Sequence, residues 1–245
     1  HGTGNVNLGT DTVMVGDNDA DATITTQGTG DLILSTNSGT DSGTLTIADG
    51  ANGNVNIAPN GTGVVQADGS AVKVAGKETI WVPATAMYPN TTSGCSALSQ
   101  VELSNGPEIK VLDFDASSDE NAQFSVAFPK SWNEGTVTFQ AFFTVTGTNT
   151  GTVAWGLSGV AIADDGSCNT AFGTNVVATA KAHSGTSNDL NVSDESGNVT
   201  IAGSPSTDEL VFFQVMRDVS ADNQSGDARL LGIKLFFTTD AKNDS

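Results

Sequence analysis

The sequence predicts an all-β protein. An N-terminal intertwined trimeric β-helix or β-repeat shaft is expected over residues 1–76, and an antiparallel β-sandwich of the jelly-roll type over residues 77–245. Three observations carry this prediction. A turn followed by a very short strand recurs through the first third of the chain. Gly, Thr, Ser, Asn and Asp are abundant and helix formers are scarce, which is typical of short strands joined by tight turns. Longer strands that contain aromatic residues begin near residue 77.

The repeated phrase occupies residues 2–8, 28–34, 52–57 and 61–67, with shorter versions between these copies. Each copy places apolar residues at positions i and i+2, which share one face of a strand. Such a unit cannot bury its apolar face alone, so its repetition indicates a solenoid or a fibre. The stretch contains no basic residue before Lys73, a composition that disordered segments also have. The strict alternation nevertheless favours an ordered fibre.

Three chains around a common axis would close these narrow apolar strips into a thin core and leave few free strand edges. A single-chain β-solenoid is the alternative. Its rungs would have near-constant length, whereas the glycines that open the phrases are unevenly spaced, and this favours the trimer. The shaft residues predicted to face the other chains are Val6, Leu8, Leu32, Leu34, Leu45, Ile47, Val55 and Ile57.

The second part contains eight or nine candidate strands and no convincing helix, which predicts an antiparallel sandwich. Turn signals separate the strands, as at residues 133–135, 164–166 and 196–198. The predicted strands are residues 78–82, 108–114, 123–128, 136–146, 153–163, 175–182, 190–192 with 198–201, 209–218 and 229–238.

Three phenylalanine doublets fall inside these strands. Neighbouring strand residues point to opposite faces, so one ring of each doublet can enter the core while the other faces outward. Three outward rings indicate a subunit interface, and a loop or bend that covers them is the alternative. The candidates for this interface are Phe142, Phe143, Phe212, Phe213, Phe236 and Phe237.

The charge and composition restrict the functional classes. The chain has 9 basic and 28 acidic residues, so its surface repels the phosphates of nucleic acids. No apolar run has the length of a membrane span. Cys95 and Cys168 are compatible with one disulfide or with two free thiols. The chain begins at His1 without an initiator Met or a visible signal peptide, and we expect a fragment or a processed form.

The sequence predicts neither catalysis nor a cofactor. Its histidines are His1 and His183, and no phosphate-binding loop or nucleophile elbow occurs. Close carboxylates at residues 113/115, 119/120 and 164/165 lie in turn-like segments, where solvated loop charges are expected rather than a glycosidase pair. Oxygen ligands alternate at Asp17, Asp19 and Asp21. The later Gly and Glu of a calcium loop are missing, so a solvated turn is expected and a shared cation is the alternative.

Four residues of the second part are candidates for a specific role. Arg217 ends an otherwise apolar strand and is predicted to pair with Asp218, Asp222 or Asp227 and so pin the loop before the last strand, with ligand binding as the alternative. Trp132, Tyr88 and Trp81 are candidate sugar-stacking groups for receptor binding, although packing is the favoured role for each. The loops 169–174 and 184–189 are the other candidates for receptor recognition, because function on β-sandwiches concentrates in loops. Trp155, between small residues in a strand, is predicted to lie in the core.

The chain resembles a family of phage proteins. Residues 22–32 and 46–57 resemble phrases in tail-fibre and other virion fibre proteins of marine bacteriophages, including phages of cyanobacteria. Residues 128–137, 153–155, 215–218 and 228–235 resemble a jelly-roll module common at the distal end of phage virion proteins. The resemblance implies a homotrimeric fibre shaft that carries a C-terminal knob on a phage particle, and it brings no catalytic residues.

The expected function is therefore that of a non-enzymatic virion structural protein that presents its knob for host-surface attachment. Its expected partners are two further copies, other virion proteins, and a host glycan or protein receptor. The expected location is the surface or tail of a phage particle assembled in the host cytoplasm. The alternatives are a purely structural or decorative virion component (a capsid fibre or tail plug), a glycan-cleaving fibre, and a bacterial adhesin.

Overall fold

A computed structural model describes residues 9, 23–26, 28–36, 40–72 and 75–240. In these residues the only helical element is one turn of 3-10 helix, Ala84–Ala86, so the prediction of an all-β chain is confirmed. The chain divides into two compact units, His1–Val72 and Lys73–Ser245, whereas the sequence predicted a division after residue 76. No helix in the described ranges is long and apolar enough to cross a membrane.

The first unit contains a three-stranded antiparallel meander and a short hairpin. The hairpin turns at Asp68 and Gly69, both with positive φ (50° and 75°), as a two-residue turn of type I′ requires. The described strands pair antiparallel, whereas the rungs of a β-helix are parallel. The strands are β1 (Leu32–Ser35), β2 (Thr44–Ile47), β3 (Val55–Ala58), β4 (Gln66–Ala67) and β5 (Ser70–Ala71).

One face of the meander carries six aliphatic side chains. Directly opposed residues share a face, and the register pairs Leu32 with Ile47 and Leu34 with Leu45 across β1 and β2. Across β2 and β3, Leu45 pairs with Ile57 and Ile47 with Val55. This face is largely open in the described part of the unit: Val55 is 65% and Ile57 59% exposed. Val6 and Leu8, the other predicted shaft contacts, lie outside the described residues, as do Asp17, Asp19 and Asp21.

The second unit is a sandwich of antiparallel strands, as predicted, with one parallel pair. Its described residues form fourteen strands, several of them only two residues long. They are β6 (Gly76–Pro83), β7 (Tyr88–Pro89), β8 (Ser99–Val101), β9 (Ile109–Phe114), β10 (Glu120–Ala127), β11 (Thr138–Val145), β12 (Thr152–Val153), β13 (Trp155–Ile162), β14 (Val176–Val177), β15 (Lys181–Ala182), β16 (Asn191–Val192), β17 (Ile201–Ala202), β18 (Leu210–Arg217) and β19 (Ala228–Thr239).

Two six-stranded sheets form the layers of the sandwich. The first sheet has the order β14-β13-β18-β10-β7, with β17 paired to β13. The second has the order β16-β11-β19-β9-β8, with β6 paired to β19. The predicted strand 175–182 is instead two short strands with different partners, because β14 pairs with β13 and β15 with β12.

The core lies between the sheets and is rich in aromatic rings. Trp155 is fully buried, as predicted, with Phe114 in an edge contact at 5.0 Å between ring centroids. Phe124 and Phe213 stack at 5.3 Å. Aromatic pairs in such arrangements stabilise a core beyond the area they bury.

The phenylalanine doublets follow the alternation of their strands. Phe143, Phe213 and Phe237 enter the core, with exposures of 0%, 0% and 3%. Their prediction as trimer-interface residues was wrong, because the two sheets of one chain already cover them. Their neighbours Phe142, Phe212 and Phe236 lie on the outer faces and are partly exposed.

The two cysteines are free thiols, Cys95 buried and Cys168 exposed. Burial is the largest cause that raises the pKa of Cys95 to about 12, and the negative charge of Glu120 adds to it. Since the thiolate is the reactive form, we expect a thiol reagent at neutral pH to label Cys168 quickly and Cys95 only after unfolding. Mass spectrometry should find one label in native protein and two in urea. Rapid labelling of Cys95 in the native state would contradict this burial.

Candidate functional site

Arg217 is the most extensively bonded side chain in the sandwich, and its role is structural. It is fully buried at the end of β18. Its Nε donates to Asp222 Oδ2 at 2.8 Å and its Nη2 to Asp222 Oδ1 at 3.3 Å. The remaining donors reach the carbonyl oxygens of Phe114, Gln224 and Gly226 at 2.8–3.0 Å. Arg217 therefore pins the loop before β19, as predicted, with Asp222 as its partner.

Several of the residues considered for catalysis are bonded to other groups. Asp113 pairs with Arg229 at 3.1 Å, and Asp119 accepts a hydrogen bond from the backbone of Val219. His183 is buried, with Nδ1 2.8 Å from the carbonyl of Asn149 and Nε2 3.0 Å from that of Thr186. Neither ring nitrogen faces a cleft. Across the ranges the structure describes, no group of three or more His, Cys, Asp or Glu residues is placed to hold a metal.

A groove lies on the outer face of the first sheet. Its floor comes from strands: Phe212 on β18 is flanked by Ser125 on β10 and Val160 on β13. Its wall is the segment after β13. Two adjoining cavities, of about 260 and 450 Å³, share Ile162, Cys168 and Phe212. We call this the Phe212 groove, and the smaller cavity is lined by Gln123, Val160, Ile162, Cys168, Thr170, Phe172 and Phe212.

A backbone hydrogen bond holds the end of the wall against the sheet, because Gly173 N donates to Gly159 O of β13 at 3.0 Å. A turn begins the wall, in which Gly166 N donates to Ala163 O at 2.9 Å. Gly173 has to be glycine, because a Cβ there would lie 2.7 Å from the carbonyl oxygen of Thr200. Thr170 Oγ1 donates to Ser167 O at 2.7 Å. The wall is thus hydrogen-bonded to the sheet at Gly173 and stabilised by local bonds along its length, which preorganises the groove.

Polar groups extend the floor beyond Phe212. Gln123 is opposed by Tyr88 on β7 and by Gln214 on β18, so the three side chains form one row on the outer face. Tyr88 is 49% exposed, and Asn90 Nδ2 fixes Gln214 by donating to its Oε1 at 2.8 Å. An exposed aromatic ring beside amide groups matches the mixed apolar and hydrogen-bonding character of small-ligand sites.

The rim of the groove is acidic. Asp164, Asp165 and Asp208 line its larger cavity. Asp208 forms an exposed ion pair with Lys130 at 2.8 Å, while none of the four ion pairs in the described part of the chain involves Asp164 or Asp165. The rim therefore favours neutral over anionic ligands.

The other two predicted sugar-stacking groups have different environments. Trp132 is 1% exposed and stacks on Phe128 at 4.1 Å between ring centroids. Its prediction as a receptor contact was wrong, because Phe128 and the bridge between Trp132 and Thr239 hold it in the core. Trp81, on β6 of the second sheet, is 49% exposed. It remains a candidate, on the face opposite to the Phe212 groove.

Sequence reasoning found only part of the groove. The loop 169–174, which carries Thr170 and Phe172, was a candidate for receptor recognition, but Phe212 was assigned to a subunit interface and Gln123 was not identified. The alternation of β10 indicated that Gln123 points outward beside the buried Ala122 and Phe124. No local signal brought Phe172 to the same face, since the segment that carries it has no repeat or motif.

Comparison with known proteins assigns the chain to no family. No family model matches it, and no curated protein sequence does. Solved structures that align include the CBM36-1 domain of a multidomain xylanase from the hindgut metagenome of Trinervitermes trinervoides (13% identity, 64% of this chain and 96% of that chain, TM-score 0.35). The family 11 carbohydrate-binding module from Clostridium thermocellum aligns at 10% identity (69% and 92%, TM-score 0.33). CBM27-1 from Caldicellulosiruptor saccharolyticus aligns at 12% identity (64% and 96%, TM-score 0.33). At these TM-scores the similarity supports no inference about ligands.

Proposed function

We propose that this chain is a non-enzymatic virion structural protein. It forms a homotrimeric fibre whose C-terminal sandwich attaches to a neutral glycan on the host surface. The observation that carries the attachment role is the Phe212 groove, in which aromatic floor, amide side chains and an anchored wall meet at one preformed site. The phage origin rests on the resemblance of the repeat and knob segments to virion fibre proteins.

The choice of a neutral sugar follows from the groove's charges and shape. A pyranose ring has an apolar face suited to an aromatic ring and hydroxyl groups suited to amides. Tyr88 and Phe212 supply the rings, while Gln123 and Thr170 supply hydrogen-bonding groups. The aspartates of the rim would repel a carboxylated or sulfated sugar.

The open apolar face of the meander supports the proposal of a trimer. Its six aliphatic residues form a contiguous patch on the described sheet, and contiguous exposed apolar patches mark interaction sites. Three such faces packed around one axis would bury one another. Three weak glycan sites on one fibre would then bind together, so avidity replaces the affinity of a single site.

The non-enzymatic role is supported by the environments of the groups that catalysis would need. Asp113 pairs with Arg229 across β9 and β19, Asp119 accepts a hydrogen bond from the backbone of Val219, and both ring nitrogens of His183 face carbonyls. Asp164 and Asp165 line an open rim that offers no buried carboxylic acid opposite a base, which a glycosidase needs. Incubation with host polysaccharide should therefore produce no new reducing ends.

Replacing Tyr88 by alanine is expected to weaken glycan binding. We would screen neutral oligosaccharides of glucose, galactose, mannose and xylose by calorimetry. Loss of one stacked ring costs roughly 1 kcal/mol, and each 1.4 kcal/mol is about tenfold in affinity. Tyr88→Ala should thus raise Kd roughly fivefold to tenfold, and Gln123→Ala by a similar factor. Bound sugar should also slow the labelling of Cys168, which lines the groove.

The control is Leu190→Ala, because Leu190 is 59% exposed beside β16 of the second sheet. It should leave Kd unchanged. If no neutral or acidic glycan and no susceptible host cell binds the protein, the attachment role is wrong, and the purely structural virion component replaces it. If binding occurs but Tyr88→Ala and Leu190→Ala behave alike, the groove is not the attachment site.

A further inference from the structure

An exposed tryptophan is held in a fixed position on the outer face of the second sheet. Trp81 makes an edge contact with Phe142 at 5.1 Å between centroids and an interplanar angle of 78°. Its six-membered ring covers Gly232, where an added Cβ would lie 2.5 Å from the ring. The contacts with Gly232 and Phe142 therefore fix the indole of Trp81, which remains 49% exposed.

A cation lies beside this indole. Lys234 directly opposes Trp81 across β19 and β6, and Gln140 opposes Lys234 on its other side. The ammonium groups of Lys234 and Lys77 lie 5.2 and 5.1 Å from the centroid of Phe236. These contacts are cation–π interactions, and they hold both lysines close to the sheet.

The two lysines differ in their carboxylate partners. Lys77 pairs with Glu195, which also accepts a hydrogen bond from Thr138. The hydrogen bonds from Lys77 and Thr138 hold the pKa of Glu195 below its usual range. Lys234 belongs to none of the four ion pairs found within the described residues. Among the residues that the structure describes, Lys234 is thus a cation without a carboxylate partner, and it lies opposite the exposed Trp81 in a chain of net charge −19.

We infer that this face, the Trp81 platform (Trp81, Gln140, Phe142, Lys234 and Phe236), binds an anionic polysaccharide. A sugar ring stacks on the indole of Trp81, its carboxylate or sulfate group pairs with Lys234, and Gln140 hydrogen-bonds a hydroxyl. This site is distinct from the Phe212 groove, which lies on the other sheet and has an acidic rim. The inference goes beyond the proposed function, because it adds a second site with the opposite charge preference.

A polysaccharide fits this face better than a protein partner. The fully buried centre of a protein interface is depleted of charged residues, whereas Lys234 lies at the centre of the platform. The neighbouring outward residues Thr79 and Thr138, which flank Phe236 in the register, add hydroxyl groups. An aromatic ring among a cation, an amide and hydroxyls is complementary to a charged sugar.

Tryptophan fluorescence isolates the platform. Trp132 and Trp155 are 1% and 0% exposed, so among the three tryptophans acrylamide should quench mainly Trp81. We would add polygalacturonate as the carboxylated probe, dextran sulfate as the sulfated probe and dextran as the neutral one. We expect either anionic polymer, or both, to protect Trp81 from quenching and dextran to leave it accessible. Comparing polygalacturonate with dextran sulfate shows whether the site accepts a carboxylate or a sulfate group.

The variant Lys234→Gln tests the cation. One charge contact at an exposed site contributes up to about 1 kcal/mol, so we expect roughly a fivefold rise in Kd for the anionic polymer in low salt. The matched control Lys110→Gln removes the same charge from an exposed site on β9. Because Lys110 would not contact the ligand, this variant should change Kd by less than about twofold. Raising the salt concentration should remove the difference between the two variants.

Three outcomes would overturn the inference. Trp81 could remain quenchable when saturating anionic polymer is present. Lys234→Gln and Lys110→Gln could weaken binding equally, which would indicate a nonspecific charge effect. Trp81 could become protected by raising the protein concentration alone, together with a rise in mass, which would assign the platform to contacts between copies. Tyr88→Ala does not alter the platform. A failure of the Phe212 groove to bind neutral sugars is therefore detected separately from a failure of the platform to bind anionic polymers.

Discussion

Replacing Arg217 by methionine is expected to lower the free energy of unfolding of the sandwich by about 3–5 kcal/mol. Methionine keeps an unbranched apolar side chain. It lacks the guanidinium donors that hydrogen-bond to Asp222 and to three backbone carbonyls. The Asp222 side chain is only 2% exposed, so its charge would be left buried and unpaired. Urea unfolding should report the change, and the midpoint of thermal unfolding should fall by roughly 10 °C.

The control for Arg217→Met is Arg229→Met. Arg229 pairs with Asp113 at 3.1 Å, but both side chains are 23% exposed, so water can replace the lost contact. This variant should cost about 1 kcal/mol or less. The double variant Arg217→Met/Asp222→Leu should recover part of the loss, because it removes the orphaned charge. Equal losses for the two arginine variants would contradict the role of Arg217.

A single aspartate on the apolar face of the meander is expected to dissociate the proposed trimer. Leu45 lies in the central strand β2, opposed by Leu34 on β1 and Ile57 on β3. In a trimer, Leu45→Asp would bring three carboxylates into a thin apolar core, and burying unpaired charges costs several kcal/mol each. Light scattering should give a mass of three chains for the unaltered protein and of one chain for the variant.

Thr46→Asp is the matched control, because Thr46 is the next residue of β2 and points to the opposite face. It adds the same charge to the same strand and should leave the mass at three chains. The mass of the unaltered protein should also survive mild heating, since strands packed between subunits unfold slowly. A monomeric unaltered protein would remove the shaft proposal, while equal dissociation by both variants would show that charge rather than location is decisive.

The sequence predicted the strands of the sandwich well where they are long and alternate regularly. In β18 every second residue from Val211 to Arg217 is buried, and β19 keeps the same alternation on either side of an irregularity at Leu231. The periodicity of two identifies such strands without further information. Alternation also showed that one ring of each phenylalanine doublet enters the core. It could not say that the ring is Phe213 rather than Phe212, because the choice depends on which side of β18 the other sheet covers.

Prediction from the sequence failed where distant parts of the chain form the surroundings of a short segment. The sequence leaves Trp132 open between packing and sugar stacking, and only its stacking on Phe128 in the fold decides for packing. The stretch 175–182 has the composition of one strand, yet it contributes to two sheets because β13 and β12 offer separate partners. Short strands have few residues to bias their pairing, so tertiary contacts decide it.

By itself, the sequence determined that the chain is all-β, that its second unit is an antiparallel sandwich, and that Arg217 pins a neighbouring loop. These features follow from periodicity, turn chemistry and charges that are close along the chain. The tertiary structure alone decided the candidate sites. Tyr88, Gln123, Phe172 and Phe212 meet on one sheet, and Trp81 meets Lys234 on the other, only because strands far apart in sequence pair in a particular register. Cross-strand neighbours are set by that register, which depends on how the two sheets share a single core.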